Sequence, residues 1–155
     1  MILVDWLIAT GYGTMLDTNT ISNFSWPSSS SLLAICFRSI VGYSKISTYT
    51  GNGSSTDGPF VYTGFRPAWV LIKRTDTTST NGWYIYDNKR ENYGTLVDAQ
   101  LYANLNSQED NGNRDLDFTS NGFKPRLTDV NVNASGGTYF YLAFADQPFK
   151  YSNAR

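Results

Sequence analysis

The chain reads as all-β: an antiparallel β-sandwich of jelly-roll type behind an extended N-terminal leader. Three observations give that class. Ser, Thr, Asn and Gly are abundant and aromatic residues make up 15% of the chain, a composition that disfavours helix and suits short strands joined by turns. About eight strand-sized segments recur at intervals of roughly 8–14 residues, with turn signals between them. No internal repeat and no helical segment long enough to cover a parallel sheet interrupts them.

Residues 1–31 form the leader. Two apolar stretches enclose Thr-, Asn- and Ser-rich sequence, and the segment closes at Trp26-Pro27 and the run Ser28 to Ser31. The apolar opening lacks a preceding basic residue and is broken by Asp5, so it reads as a strand or interface segment rather than a signal peptide. It also falls short of the roughly 20 apolar residues that a membrane span needs. The module is expected to occupy 32–155. Leu32 to Phe37 is a continuous apolar run, as a strand buried on both faces would be. Lys45 to Thr50 follows as a strand closed by Gly51-Asn52-Gly53, and Phe60-Val61-Tyr62 as a short one stopped at Gly64.

Pro67 to Arg74 carries apolar side chains on both alternating faces and should be central. Asn81-Gly82 is a tight-turn signal leading into a strand from Trp83 to Asp87. Residues 94–107 mix helical spacing with Asn-rich turns and are read as extended. Leu116 and Phe118 alternate with Asp115 and Asp117, and Asn121-Gly122 turns the chain into Phe123-Lys124. Thr138 to Asp146 alternates cleanly, and Phe140, Leu142 and Phe144 are expected to join Trp69 and Leu71 in the core.

The same composition excludes several chemistries. Twelve Lys+Arg against thirteen Asp+Glu give no basic excess for nucleic acid or an anionic membrane. There is no histidine, which removes imidazole catalysis and His-ligated metal. The single Cys36 has no such base to activate it, is flanked by apolar residues, and reads as a small core hydrophobe. No Gly-rich loop has the Lys and following helix that phosphate binding requires. Asp115 and Asp117 share a strand face downstream of Glu109 and Asp110, a pattern that serves either paired-carboxylate hydrolysis or an ordinary solvent face. The stretch 109–117 also holds the oxygen ligands calcium favours, but Arg114 sits among them and turn-forming residues explain the same text. The expectation is a protein without catalytic residues, metal or cofactor.

Aromatic residues are the richest feature. Trp83, Tyr84, Tyr86 and Tyr93 cluster, and such a group can fill a core, anchor a subunit interface or stack on a glycan. In the leader, Trp6, Leu7, Ile8, Phe24 and Trp26 are candidate assembly anchors, because so much apolar surface is unfavourable in water. Asp87 and Arg90 are placed to pair across a turn.

The order of several short segments resembles a module that recurs near the C-termini of bacteriophage tail-fibre and related virion proteins. The matching text is Tyr49 to Gly53, Thr63 to Arg74, Trp83 to Arg90, Asp117 to Phe123, Asn133 to Tyr139 and Ala143 to Asp146. The resemblance spans about 45–149, and it implies a concanavalin-like or jelly-roll sandwich on a virion surface, often trimeric. It brings no catalytic or ligand-binding residue set. The expected function is therefore a non-enzymatic virion structural protein, a tail-fibre or tail component or a capsid decoration. Its expected partners are other virion proteins and further copies of itself, with no nucleic acid and no membrane insertion. The alternative is a carbohydrate-binding module that recognises host-surface glycans through exposed aromatics.

Overall fold

The computed structural model describes residues 6–7, 36–77, 82–90, 96–97, 99–110 and 116–147. Among them are eleven strands and no helix: β1 (Trp6–Leu7), β2 (Cys36–Phe37), β3 (Ser44–Thr50), β4 (Val61–Tyr62), β5 (Pro67–Arg74), β6 (Tyr84–Asp87), β7 (Leu96–Val97), β8 (Gln100–Tyr102), β9 (Leu116–Thr119), β10 (Gly122–Pro125) and β11 (Thr138–Ala145). Every pairing is antiparallel. The ambiguous stretch 94–107 holds β7 and β8, so extended structure wins over the helical spacing.

The chain divides into two compact units, Met1–Ser39 and Ile40–Arg155. In the first, β1 pairs β2, with Trp6 opposite Phe37 and Leu7 opposite Cys36. The line between units thus falls after Ser39, whereas the sequence reading drew it after Ser31. A serine run marks a turn, but a short strand belongs with its pairing partner, and the partner of Cys36–Phe37 is Trp6–Leu7.

The second unit is a β-sandwich. One sheet has the order β3-β11-β5-β6-β8 and the other β4-β10-β9-β7. β5 lies between β11 and β6, the central place its two apolar faces predict. The space between the sheets is filled by Val70, Ile72, Tyr84, Tyr86, Tyr139, Tyr141 and Ala143 from one side and Val61, Leu116, Phe118 and Phe123 from the other. Phe123 sits edge-on to both Tyr141 and Tyr49, with ring centroids 5.3 and 5.7 Å apart. Each fully buried side chain of this size contributes about 1.5–3 kcal/mol.

The alternation in β5 and β11 is as read from the sequence, but the inner face is the opposite one. Val70, Ile72, Tyr139 and Tyr141 face the second sheet; Trp69, Leu71, Phe140, Leu142 and Phe144 face outward. Leu71, Phe140 and Leu142 are nevertheless buried, while Trp69 and Phe144 are half-buried with ring centroids 5.6 Å apart. Period-2 alternation says which residues share a face, not which face is inside. When both faces are apolar, the sequence leaves that choice open.

Two glycine-rich segments close one end of the sandwich. Gly51 and Gly53 lie against the backbone of Asn133 to Ser135, where a Cβ at Gly51 would stand 2.3 Å from the Ala134 carbonyl oxygen. Asn133 is fully buried and ties three segments together. Its Oδ1 accepts from the Asn52 N–H at 2.9 Å, and its Nδ2 donates to the carbonyls of Ser54 and Leu127 at 3.0 and 2.9 Å.

Candidate binding surface

The predicted aromatic cluster does not form one surface. Tyr84 and Tyr86 lie in the core, because their strand alternates and the even-numbered positions point between the sheets. Buried rings cannot serve as a stacking platform or an interface anchor, which corrects that expectation for these two. The Tyr86 hydroxyl donates to the buried Gln100 Oε1 at 2.9 Å, and Gln100 Nε2 donates to the Tyr102 hydroxyl at 2.9 Å. Trp83 is half-buried, and its backbone N–H donates to Asn104 Oδ1 at 2.9 Å. Tyr93 lies outside the described residues, as do the anchors Ile8, Phe24 and Trp26. Trp6 and Leu7 are described only as backbone of β1.

The described carboxylates of this region are committed to structural partners. Glu109 and Asp87 both pair with Arg90, which bears out the expected Asp87–Arg90 contact. Burial pushes the Asp87 carboxyl up, but the Arg90 guanidinium and the backbone N–H groups of Lys89 and Arg90 outweigh it and hold it below the usual range. Asp110 exchanges backbone hydrogen bonds with Gln100 and accepts from its amide. Asp117 is buried on the outer face of its sheet, paired with Arg126, and its Oδ1 has no hydrogen-bond partner among the described residues. Asp115 lies outside them. Among the described residues no group of three Cys, Asp or Glu stands close enough to hold a metal ion.

Two surfaces stand out instead. The first is the outer face of the five-stranded sheet. Ile46, Leu142, Leu71, Ile85 and Leu101 are successive cross-strand partners, so one apolar row crosses all five strands. Burial falls along it, from Leu142 at 2% exposed to Leu101 at 36%.

The second surface lies on the edge strand β4 and was not singled out from the sequence. Val61 is buried in the core, so its neighbours Phe60 and Tyr62 project to the outside, 51% and 62% exposed. Gly122 pairs with Tyr62 across the ladder. A Cβ there would stand 3.0 Å from Phe60 Cζ and 2.2 Å from the Val61 carbonyl oxygen, so the missing side chain is what admits the Phe60 ring. Gly122 does not adopt a positive φ. Its role is close approach, while Gly64 does adopt φ 86°. The Tyr62 phenol lies beside Gly64, within 3.6–3.9 Å of the Cβ position.

The backbone beneath both rings is held firmly. The N–H groups of Thr63 and Gly64 donate to the Asn121 carbonyl at 3.0 and 3.2 Å, and the Thr63 hydroxyl donates to the Phe65 carbonyl at 2.5 Å. Beside the rings, Lys124 pairs with Asp57, and that contact holds the Asp57 carboxyl below its usual range. The signal available in the sequence was an apolar triplet with aromatics at its two ends, which a half-buried strand must split between its faces.

No curated protein and no solved structure matches the chain. A family does, over residues 9–148 and so across both units: the chain belongs to the family described as Domain of unknown function (DUF7483).

Proposed function

We propose that the protein is a non-enzymatic structural component of a bacteriophage virion, a tail-fibre or tail component or a capsid decoration, acting through contacts with other subunits and with the host surface. The observation that carries the reading is the apolar outer face of the five-stranded sheet, whose row is already buried at Ile46, Leu142 and Leu71 and opens at its Leu101 end, where a neighbouring subunit can pack. A two-sheet sandwich needs one apolar interior, and this sheet is apolar on both faces, as sheets are when they are built to be covered twice. The committed carboxylates support a binding role over a catalytic one. So does the resemblance of the ordered segments to virion modules. Partners are other virion proteins and further copies of the chain, with a trimer the favoured assembly. The test is immunogold labelling and mass spectrometry of gradient-banded particles. Stoichiometric protein on the banded particles is the expected result; protein confined to the lysate supernatant overturns the reading.

The second reading is a carbohydrate-binding module for host-surface glycans. It is favoured by the exposed Phe60 and Tyr62 rather than by the Trp83 cluster, two of whose rings are core.

A further inference from the structure

We infer that Phe60 and Tyr62 on β4 form the stacking platform of a glycan site, and that its ligand is a neutral oligosaccharide. The inference rests on the host-surface part of the reading above and gives it a location and a ligand class.

The platform is built rather than incidental. Two aromatic side chains on either side of a core valine share one outward face, and Gly122 leaves room for the Phe60 ring while Tyr62 lies in ordinary contact beside Gly64. Their backbone is fixed by the Asn121 carbonyl and by the burial of Val61, Thr63 and Phe65. A platform fixed before binding loses little freedom when a ligand arrives.

Size decides between a sugar and a protein. An aromatic residue carries about 150–250 Å² of surface, so two rings half to two-thirds exposed offer on the order of 200–250 Å². A stable protein interface needs about 800 Å² from each partner. The rings supply a quarter to a third of that, an area suited to the C–H faces of one or two pyranose rings.

Charge decides the sugar class. The charged groups that share the outer face of this sheet are paired, Lys124 with Asp57 and Asp117 with Arg126, which balances their charge and favours neither an anionic nor a cationic polymer. The same pairs present polar atoms at the fringe for equatorial hydroxyls, while the rings take the apolar sugar face.

The test uses the full chain against an immobilised panel of neutral hexose and N-acetylhexosamine oligosaccharides, followed by titration calorimetry on each oligosaccharide that binds. At least one neutral oligosaccharide should bind. Its affinity should fall at least about tenfold in Phe60→Ala and in Tyr62→Ala, hold in Tyr62→Phe and Trp83→Ala, and change little between low and high salt. Melting curves confirm that the variants, all at exposed or half-exposed positions, remain folded. The proposal is overturned if no neutral oligosaccharide binds at up to ~10 mM. It is overturned equally if Phe60→Ala and Tyr62→Ala leave binding intact, or if they abolish self-association instead. Protein found on banded particles without glycan binding would refute this site and leave the virion reading standing.

Discussion

Replacing Asn133 with alanine tests the closure of the sandwich end. The side chain is fully buried and makes three hydrogen bonds, all to backbone groups of other segments: Asn52, Ser54 and Leu127. A hydrogen bond of this kind contributes about 0.5–1.5 kcal/mol net, and a group left buried without its partner costs at least as much. Three such bonds place the loss near 3 kcal/mol. With a urea m-value of about 1.5 kcal/mol/M for a domain of this size, the denaturation midpoint should fall by roughly 2 M. Asn133→Asp sharpens the test. The substituted side chain can still accept from the Asn52 N–H, but it sets a carboxylate against two carbonyl oxygens. Its folded pKa must then lie above the ordinary value of about 3.9. The folded state holds the proton more tightly, so this variant is most stable at low pH and loses stability as pH rises through the raised pKa. Urea melts at pH 4 and pH 7, followed by tryptophan fluorescence, measure both effects. A loss below about 0.5 kcal/mol for Asn133→Ala, or a deficit for Asn133→Asp that does not grow with pH, would refute the reasoning.

Further outcomes can be measured the same way. Gly122→Ala should cost about 1–3 kcal/mol and displace the Phe60 ring, because the new Cβ meets the Val61 carbonyl oxygen; its melt compared with that of wild type checks this. Leu142→Ala should cost about 2–5 kcal/mol in the same melt although it lies on the outer layer, since its side chain is 2% exposed. Burial pushes the Tyr141 hydroxyl up to about 12, against a partial lowering by Ser47. The unfolded chain ionises first, so stability is full below pH 10 and falls as pH rises toward 12; an alkaline melt series should show the fall, reduced in Tyr141→Phe. Removing Met1–Ser39 should leave a cooperative melt with an unchanged β circular-dichroism spectrum, because the sandwich core draws on residues after Ile40.

The strands were legible where apolar alternation was bounded by turn chemistry. β5, β9, β10 and β11 fall within a residue or two of their expected bounds, and Asn121-Gly122 makes the turn its sequence announces. The inner face of the large sheet was not legible. In β11, Tyr139 and Tyr141 oppose Phe140 and Leu142, and both sets are apolar enough to bury. The tyrosines go inside because their hydroxyls find partners: Tyr139 donates to the Val130 carbonyl at 2.8 Å and accepts from the Ala134 N–H at 2.7 Å. Those partners lie in a loop whose path the local sequence does not state. The binding surface was hidden for a related reason. Phe60 and Tyr62 gain their meaning from Gly122, some sixty positions away, and only the ladder brings the three together.

The strand order also bears on how the protein is made. β11 joins β3 to β5, yet it is the last of the five strands to leave the ribosome. Until Thr138–Ala145 emerges, β3 and β5 share no neighbour, and the edge of β5 that pairs with Tyr139 to Ala145 stays open. A polypeptide cut short before that point cannot settle for a smaller sandwich. It presents open sheet edges and apolar surface, the features that recruit chaperones and proteases. Placing the closing strand beside the centre of the sheet therefore works as a check on synthesis: the five-stranded sheet can close only after Thr138–Ala145 has been translated.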